Sequence, residues 1–202
     1  TTGTTSQTPW RNHVRTFVIA TILFSLPLTV GADTEQYKAE AKKITGAFFE
    51  ELKGELGKGM KAGGPVTAIG VCKNLAPAIA MKHSDNSGWD VARTSLKLRN
   101  PNNAPDAWET KVLQQFEERR ADGEGPDTLT YAEIVEENGD KYFRFMKGIV
   151  MPPLEKMPCL KCHGEDIDPS TSAKLDELYP QDKARGYKAG QVRGAFTLKK
   201  KL

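Results

Sequence analysis

The sequence predicts an α+β protein, and three observations carry that reading. Apolar residues recur every three to four positions from Tyr37 to Leu56, the period of an amphipathic helix. Residues 89–98, Trp-Asp-Val-Ala-Arg-Thr-Ser-Leu-Lys-Leu, alternate as a half-buried strand does. Two more strand-like runs flank Asn138-Gly139, a dipeptide suited to a tight hairpin because both residues accept positive φ.

In chain order, the first helix is expected over 34–57, with Tyr37, Ala41, Ile44, Phe48, Leu52 and Leu56 on one face. Gly57, Gly59, Gly63 and Gly64 are expected to end it in a loop. Pro65 suits the first turn of a second helix, where a missing N–H costs nothing. That helix is expected to reach about Lys82, with Pro77 as a kink or early stop. Residues 84–88 read as a turn, 89–98 as a strand and 100–105 as a turn cluster. A third helix is expected over 106–121, with Trp108, Val112, Leu113 and Phe116 inward and Glu117, Glu118, Arg119 and Arg120 in water. After a break at 122–126 come strands over 128–136 and 141–150. A short helix over 172–178, a last strand over 191–198 and a basic end at 199–201 complete the chain.

The 202 residues suit one domain with a tail. Apolar residues at 38% and charged residues at 27% describe a soluble globular chain, which excludes disorder and a multi-span membrane protein. The formal charge of +3, from 29 Lys plus Arg and 26 Asp plus Glu, is unevenly placed. Arg11 and Arg15 lie in residues 1–32 without an acid, which leaves 27 minus 26, or +1, for residues 33–202. Such a balance gives no electrostatic footprint for nucleic acid.

Residues 1–32 read as a Sec signal peptide cut after Ala32. A polar stretch with Arg11, His13 and Arg15 precedes an apolar run from Phe17 to Val30, 14 residues long. That is short of the roughly 18–20 that span a bilayer. Val30-Gly31-Ala32 supplies the small-x-small pattern of a cleavage site. An uncleaved anchor is the alternative, weakened by Pro27 and the small residues. The domain division is then 1–32 signal peptide and 33–202 mature domain, exported to the periplasm.

Three cysteines in an exported chain do not make a simple disulfide framework. Two lie in Cys159-Leu160-Lys161-Cys162-His163, the C-x-x-C-H signature of c-type haem attachment. The spacing has a chemical reason: two thiols add across the two haem vinyl groups, and the adjacent His is placed under the iron. A thioredoxin-like site would want a strand before the motif, where Met151-Pro152-Pro153 and Met157-Pro158 read as loop. A zinc site would need further ligands from Cys72, His83 and His13. A plain structural disulfide is the third competitor.

The second face of the iron has several candidates: Cys72, His83, Met60, Met81, Met146, Met151 and Met157. Cys72 sits on an apolar helical face with Ala68, Leu75 and Ile79, where an unpaired cysteine is commonly a small buried hydrophobe. His83 reads as an exposed loop histidine, and Met146, Met151 and Met157 read as soft packing around a cofactor. Arg93, Arg99 and Arg193 are candidates for the haem propionates, against the ordinary fate of a strand arginine in water or paired with Glu. No nucleophile–base pair, phosphate loop or carboxylate pair stands out, so no enzyme is expected.

One array carries a resemblance: Cys72, Trp89, Arg93 to Pro101, Asn103, Pro105-Asp106, Trp108-Glu109, Cys159 to His163, Tyr179 to Tyr187 and Gly190 to Phe196. It resembles the exported single c-type haem family with a PAS-like fold and a cyanobacterial prototype, long known as a domain of unknown function, over residues 34–199. The resemblance implies a five-stranded antiparallel sheet flanked by helices and one covalent haem c on Cys159 and Cys162. It also implies axial ligation by His163 and the Cys72 thiolate. A thiolate stabilises ferric iron and lowers the potential relative to a His/Met pair. Loss of that bond on reduction would open a site for NO or CO, a two-state element suited to a redox or gas sensor. The alternative is a periplasmic electron-transfer cytochrome. Either role asks for a periplasmic redox or signalling partner, and an apolar surface on the first helix suits a homodimer.

Overall fold

The computed structural model describes residues 1–4 and 30–202, so the expected signal peptide lies almost wholly outside the described residues. A long helix, α1 (Val30–Ser87), is followed by β1 (Asp90–Thr94), α2 (Ala107–Ala121), β2 (Thr130–Glu137) and β3 (Asp140–Val150). A short α3 (Leu160–His163), α4 (Pro169–Leu178) and β4 (Val192–Lys201) complete the order. The strands form one antiparallel sheet in the order β1-β4-β3-β2, so the last strand in sequence is central. Four strands are present among the described residues, against the five implied by the resemblance. The architecture is α+β, an antiparallel sheet flanked by helices in a PAS-like arrangement.

Period-2 alternation sorts the sheet's two faces. Phe143 and Phe145 of β3 and Phe196 and Leu198 of β4 point to one side, where Ala41, Phe48 and Leu52 of α1 cover them. Met146 and Ala195 point to the other, against Val112, Leu113 and Phe116 of α2. The apolar face of the first helix, expected to support a dimer, is therefore covered by the chain's own sheet. Among the described residues, no helix is long and apolar enough to cross a membrane.

Several element boundaries differ from expectation, each for a local reason. α1 does not end at Gly57; its break comes at Gly63 and Gly64, the latter at φ 68°, where a side chain would be strained. The two halves fold back side by side, with Glu51 bonded to Lys82 at 2.8 Å and to His83 at 3.0 Å. Gly59 acts as a packing glycine, because a Cβ there would lie 3.0 Å from the Ala68 Cα. The helix passes through Pro77 and through the expected turn at 84–88. Ser84 and Ser87 donate their hydroxyls to the carbonyls four residues back, and Gly88 at φ 70° ends the helix. His83 is thus a half-buried helical residue stacked on Phe48, not an exposed loop histidine.

β1 stops at Thr94 because Ser95 leaves the ladder to bond the Arg193 and Lys97 carbonyls at 2.7 and 3.1 Å. β4 runs through the expected basic end, since Lys199 and Lys200 pair in register with Asp90, Arg144 and Phe143. Asn138 at φ 54° and Gly139 at φ 84° make the expected hairpin turn. α2 carries a capping box between Asp106 and Glu109 and buries Val112, Leu113 and Phe116 as expected. Trp108 is only half-buried. Arg119 and Arg120, expected in water, are held by Glu124 at 2.6 Å and the Gly190 carbonyl at 3.3 Å.

Candidate functional site

A cavity of about 780 Å³ opens between the second half of α1, β1, the start of β4 and the 151–163 segment. Its volume falls in the range of small-molecule and cofactor sites. Cys72 lines it from α1; Cys159, Cys162 and His163 line it from the turn of α3. All three thiols are free.

The α3 turn explains how the motif presents its side chains. The His163 N–H donates to the Cys159 carbonyl at 3.1 Å and the Gly164 N–H to the Leu160 carbonyl at 2.8 Å. A single helical turn puts positions i, i+3 and i+4 on one side. Gly164 closes the turn, because a Cβ there would lie 2.5 Å from the Leu160 carbonyl oxygen. The preceding 151–158 stretch is loop, as its prolines predict.

His163 is held by atoms distant in sequence. Its Nδ1 lies 2.8 Å from the Ala184 carbonyl oxygen and 3.2 Å from Arg193 Nε. A carbonyl only accepts and a guanidinium only donates, so Nδ1 cannot serve both. The shorter contact places the proton on Nδ1 and leaves Nε2 unprotonated, accepting a long contact of 3.4 Å from Arg99 Nη1. The edge of the Tyr187 ring, with centroids 6.4 Å apart and planes at 78°, fixes the imidazole from the side. A carbonyl partner on one ring nitrogen is the usual way a ligating histidine is oriented.

Arg99 locks the segment that carries this carbonyl. It is 7% exposed and pairs with Asp182, itself 1% exposed, at 3.1 Å. Its Nη2 also donates to the Cys162 carbonyl at 2.6 Å and to the Ala184 carbonyl at 3.2 Å. One guanidinium therefore joins the motif turn to the 182–184 loop. Arg193 reaches the same region and donates to Ser95 Oγ at 2.9 Å. Arg93 lines the cavity from β1.

Burial and these cations set the local titrations. Burial pushes the Cys72 thiol up, opposed by Arg93, Arg99 and Arg193. Burial lifts Cys162 to about 11 and Tyr179, also on the cavity wall, to about 12. Burial, reinforced by Arg193 and Arg99, holds His163 well below its ordinary range, so the imidazole is neutral. A neutral imidazole with a free Nε2 is the form that binds a metal.

Met151 and Met157 line the cavity as expected of soft packing, and Met60 and Met81 line it as well. Met146 does not, being fully buried in the core under α2. His83 faces Glu51 and Phe48 outside the cavity wall. Among the described residues, no group of three or more His, Cys, Asp or Glu side chains is gathered as a bare metal ion requires. Asp182, the Ala184 carbonyl and Ser95 have structural roles at the site that periodicity and motif spacing do not reveal.

Comparison with known proteins adds the family. The Tll0287-like family model matches residues 11–200. The chain belongs to the Tll0287-like family. Among solved structures, it is similar to the crystal structure of the cyanobacterial heme-protein Tll0287, with a TM-score of 0.55 and 20% identity. That match covers 83% of this chain and 94% of the other, and at this identity it establishes the fold. No curated protein matches. In this Tll0287-like chain the family model spans α1 through β4, so every wall of the cavity lies within it.

Proposed function

We propose that this Tll0287-like chain is an exported protein with one covalent haem c, acting as a redox or small-ligand sensor module rather than an enzyme. One observation carries the reading: the three cysteines and His163, drawn from segments about 90 residues apart, line a single cavity of cofactor size. The cyanobacterial neighbour is described as a heme-protein, which supports the choice of group. The residues also fit it chemically, with two free thiols at C-x-x-C spacing beside a neutral histidine and a third thiol on another wall.

Cys159 and Cys162 would hold the group covalently, and His163 and Cys72 would ligate its iron. When bound, the haem iron supplies a one-electron centre and a coordination position for small diatomic ligands. The chain's own part is to orient His163 through Ala184 and to keep its Nε2 unprotonated. It also holds Cys72 among cations that favour the thiolate against its burial. Export to the periplasm follows from the pattern of residues 1–32 and from the place of c-type attachment in bacteria.

The test is the absorption spectrum of chain matured with haem c, ferric and then reduced, with and without CO. A ferric thiolate signature lost in Cys72→Ala, with CO binding after reduction, is the expected result. Cys162→Ala should leave haem that organic solvent extracts more readily than from the native chain. A reduced low-spin spectrum indifferent to CO would favour electron transfer to a periplasmic partner. Absence of covalent haem would overturn the reading.

A further inference from the structure

The cavity carries a charge excess that the thiols and His163 leave unexplained. Four cationic side chains line it, Lys53, Arg93, Arg99 and Arg193, and no Asp or Glu does. Two of the four are compensated: Lys53 pairs with Glu50 at 2.5 Å and Arg99 with Asp182 at 3.1 Å. Arg193 meets only neutral groups, namely Ser95 Oγ, the Lys97 carbonyl and the His163 and Tyr187 rings. Among the described residues, the Arg93 side chain has no hydrogen-bond or ion-pair partner; its guanidinium lies 5.8 Å from the centre of the Phe48 ring. Both side chains are half-buried. A guanidinium partly withdrawn from water is ordinarily met by an anion, and two such cations on one cavity wall without an Asp or Glu ask for two negative charges.

We infer that Arg93 and Arg193 form a dianion-binding end of the cavity, which takes a tetrapyrrole by its two carboxylate side chains and selects against its uncharged ester. The inference rests on the haem reading and deepens it by naming what the cavity discriminates. Arg99 does not share the task. Its donors are taken by Asp182 and by the Cys162 and Ala184 carbonyls, so it is a positioning residue for the loop that orients His163. Bidentate guanidinium–carboxylate contacts are short and strong, and Arg93 has its whole fork free to make one.

The test compares ferric protoporphyrin IX, which has two carboxylates, with its dimethyl ester, which has none. Each is titrated by absorbance into the full chain, haem-free and with its thiols reduced. The diacid should bind about 100-fold tighter, roughly tenfold for each charge-assisted contact. In Arg93→Ala that preference should fall about tenfold, and Arg93→Lys should restore most of it. Arg99→Ala should keep the preference but change the low-spin spectrum of the diacid complex, as loss of His163 orientation would. Equal affinity of the native chain for diacid and ester overturns the inference and leaves the haem reading standing; this comparison needs no variant to fold. An undiminished preference in Arg93→Ala, or an equal fall in Arg99→Ala, also overturns it. Failure of both porphyrins to bind overturns the inference together with the haem reading.

Discussion

Asp182 receives Arg99 Nε at 3.2 Å, Arg185 Nε at 2.9 Å and the Ala184 N–H at 2.9 Å while nearly closed to water. Burial raises its pKa, but the bonds from Arg99 and Arg185 outweigh burial and hold it below the ordinary 3.8. A carboxylate with a depressed folded value contributes stability above its unfolded pKa, and loses it as pH falls through the folded value. Denaturant unfolding followed from pH 6 to pH 2 should therefore show a decline beginning near the unfolded value, about 4, that is shallower in Asp182→Asn. Asp182→Ala strands the Arg99 charge and should cost about 3 kcal/mol or more in urea unfolding, while Asp176→Ala, at an exposed partner of Arg185, should cost under about 1 kcal/mol. At this scale the motif cysteines and His163 are legible from spacing alone. Asp182 and Ala184 are not, because a buried ion pair between residues 83 apart leaves no periodic trace.

The elements meet most closely where β4 enters the cavity. Gly194 has φ 156°, and a Cβ there would fall against the Thr94 carbonyl oxygen and lie 3.0 Å from the Ser95 Cβ. Both obstacles are on β1 and the bend that follows it, so neither yields as a free side chain would. Gly194→Ala should cost about 1–3 kcal/mol in denaturant unfolding and lower haem retention, because the same contact bounds the cavity. Gly64→Ala, at the break in α1, should cost about 1 kcal/mol with a retained far-UV spectrum. All four strands and every helix except the short α3 are legible in the sequence by type, since amphipathic and alternating periods follow from which face is buried. Their ends were less legible. Gly57, Gly59 and Pro77 are breakers in isolation, but packing between the halves of α1 overrides them.

For the whole molecule, sheet order matters more than chain order. β4 supplies Phe196 and Leu198 to one core and Ala195 to the other, and pairs with both β1 and β3. A chain ending at Gly190 should lose cooperative thermal unfolding by circular dichroism. Removal of exposed Leu202 alone should shift the midpoint by only a few degrees, as surface changes worth up to about 0.5 kcal/mol do.

The α+β class, the hairpin at Asn138-Gly139 and the C-x-x-C-H motif are all legible in the sequence alone. Each of these is local, set by residue spacing, backbone preference or the chemistry of one side chain. The folded arrangement is what brings Cys72 to one cavity with the motif, neutralises Arg99 but not Arg93, and sets His83 and Met146 apart. Those outcomes depend on which distant segments the sheet and the folded-back α1 bring together. Charge compensation and burial are properties of that assembly, not of any stretch of the chain.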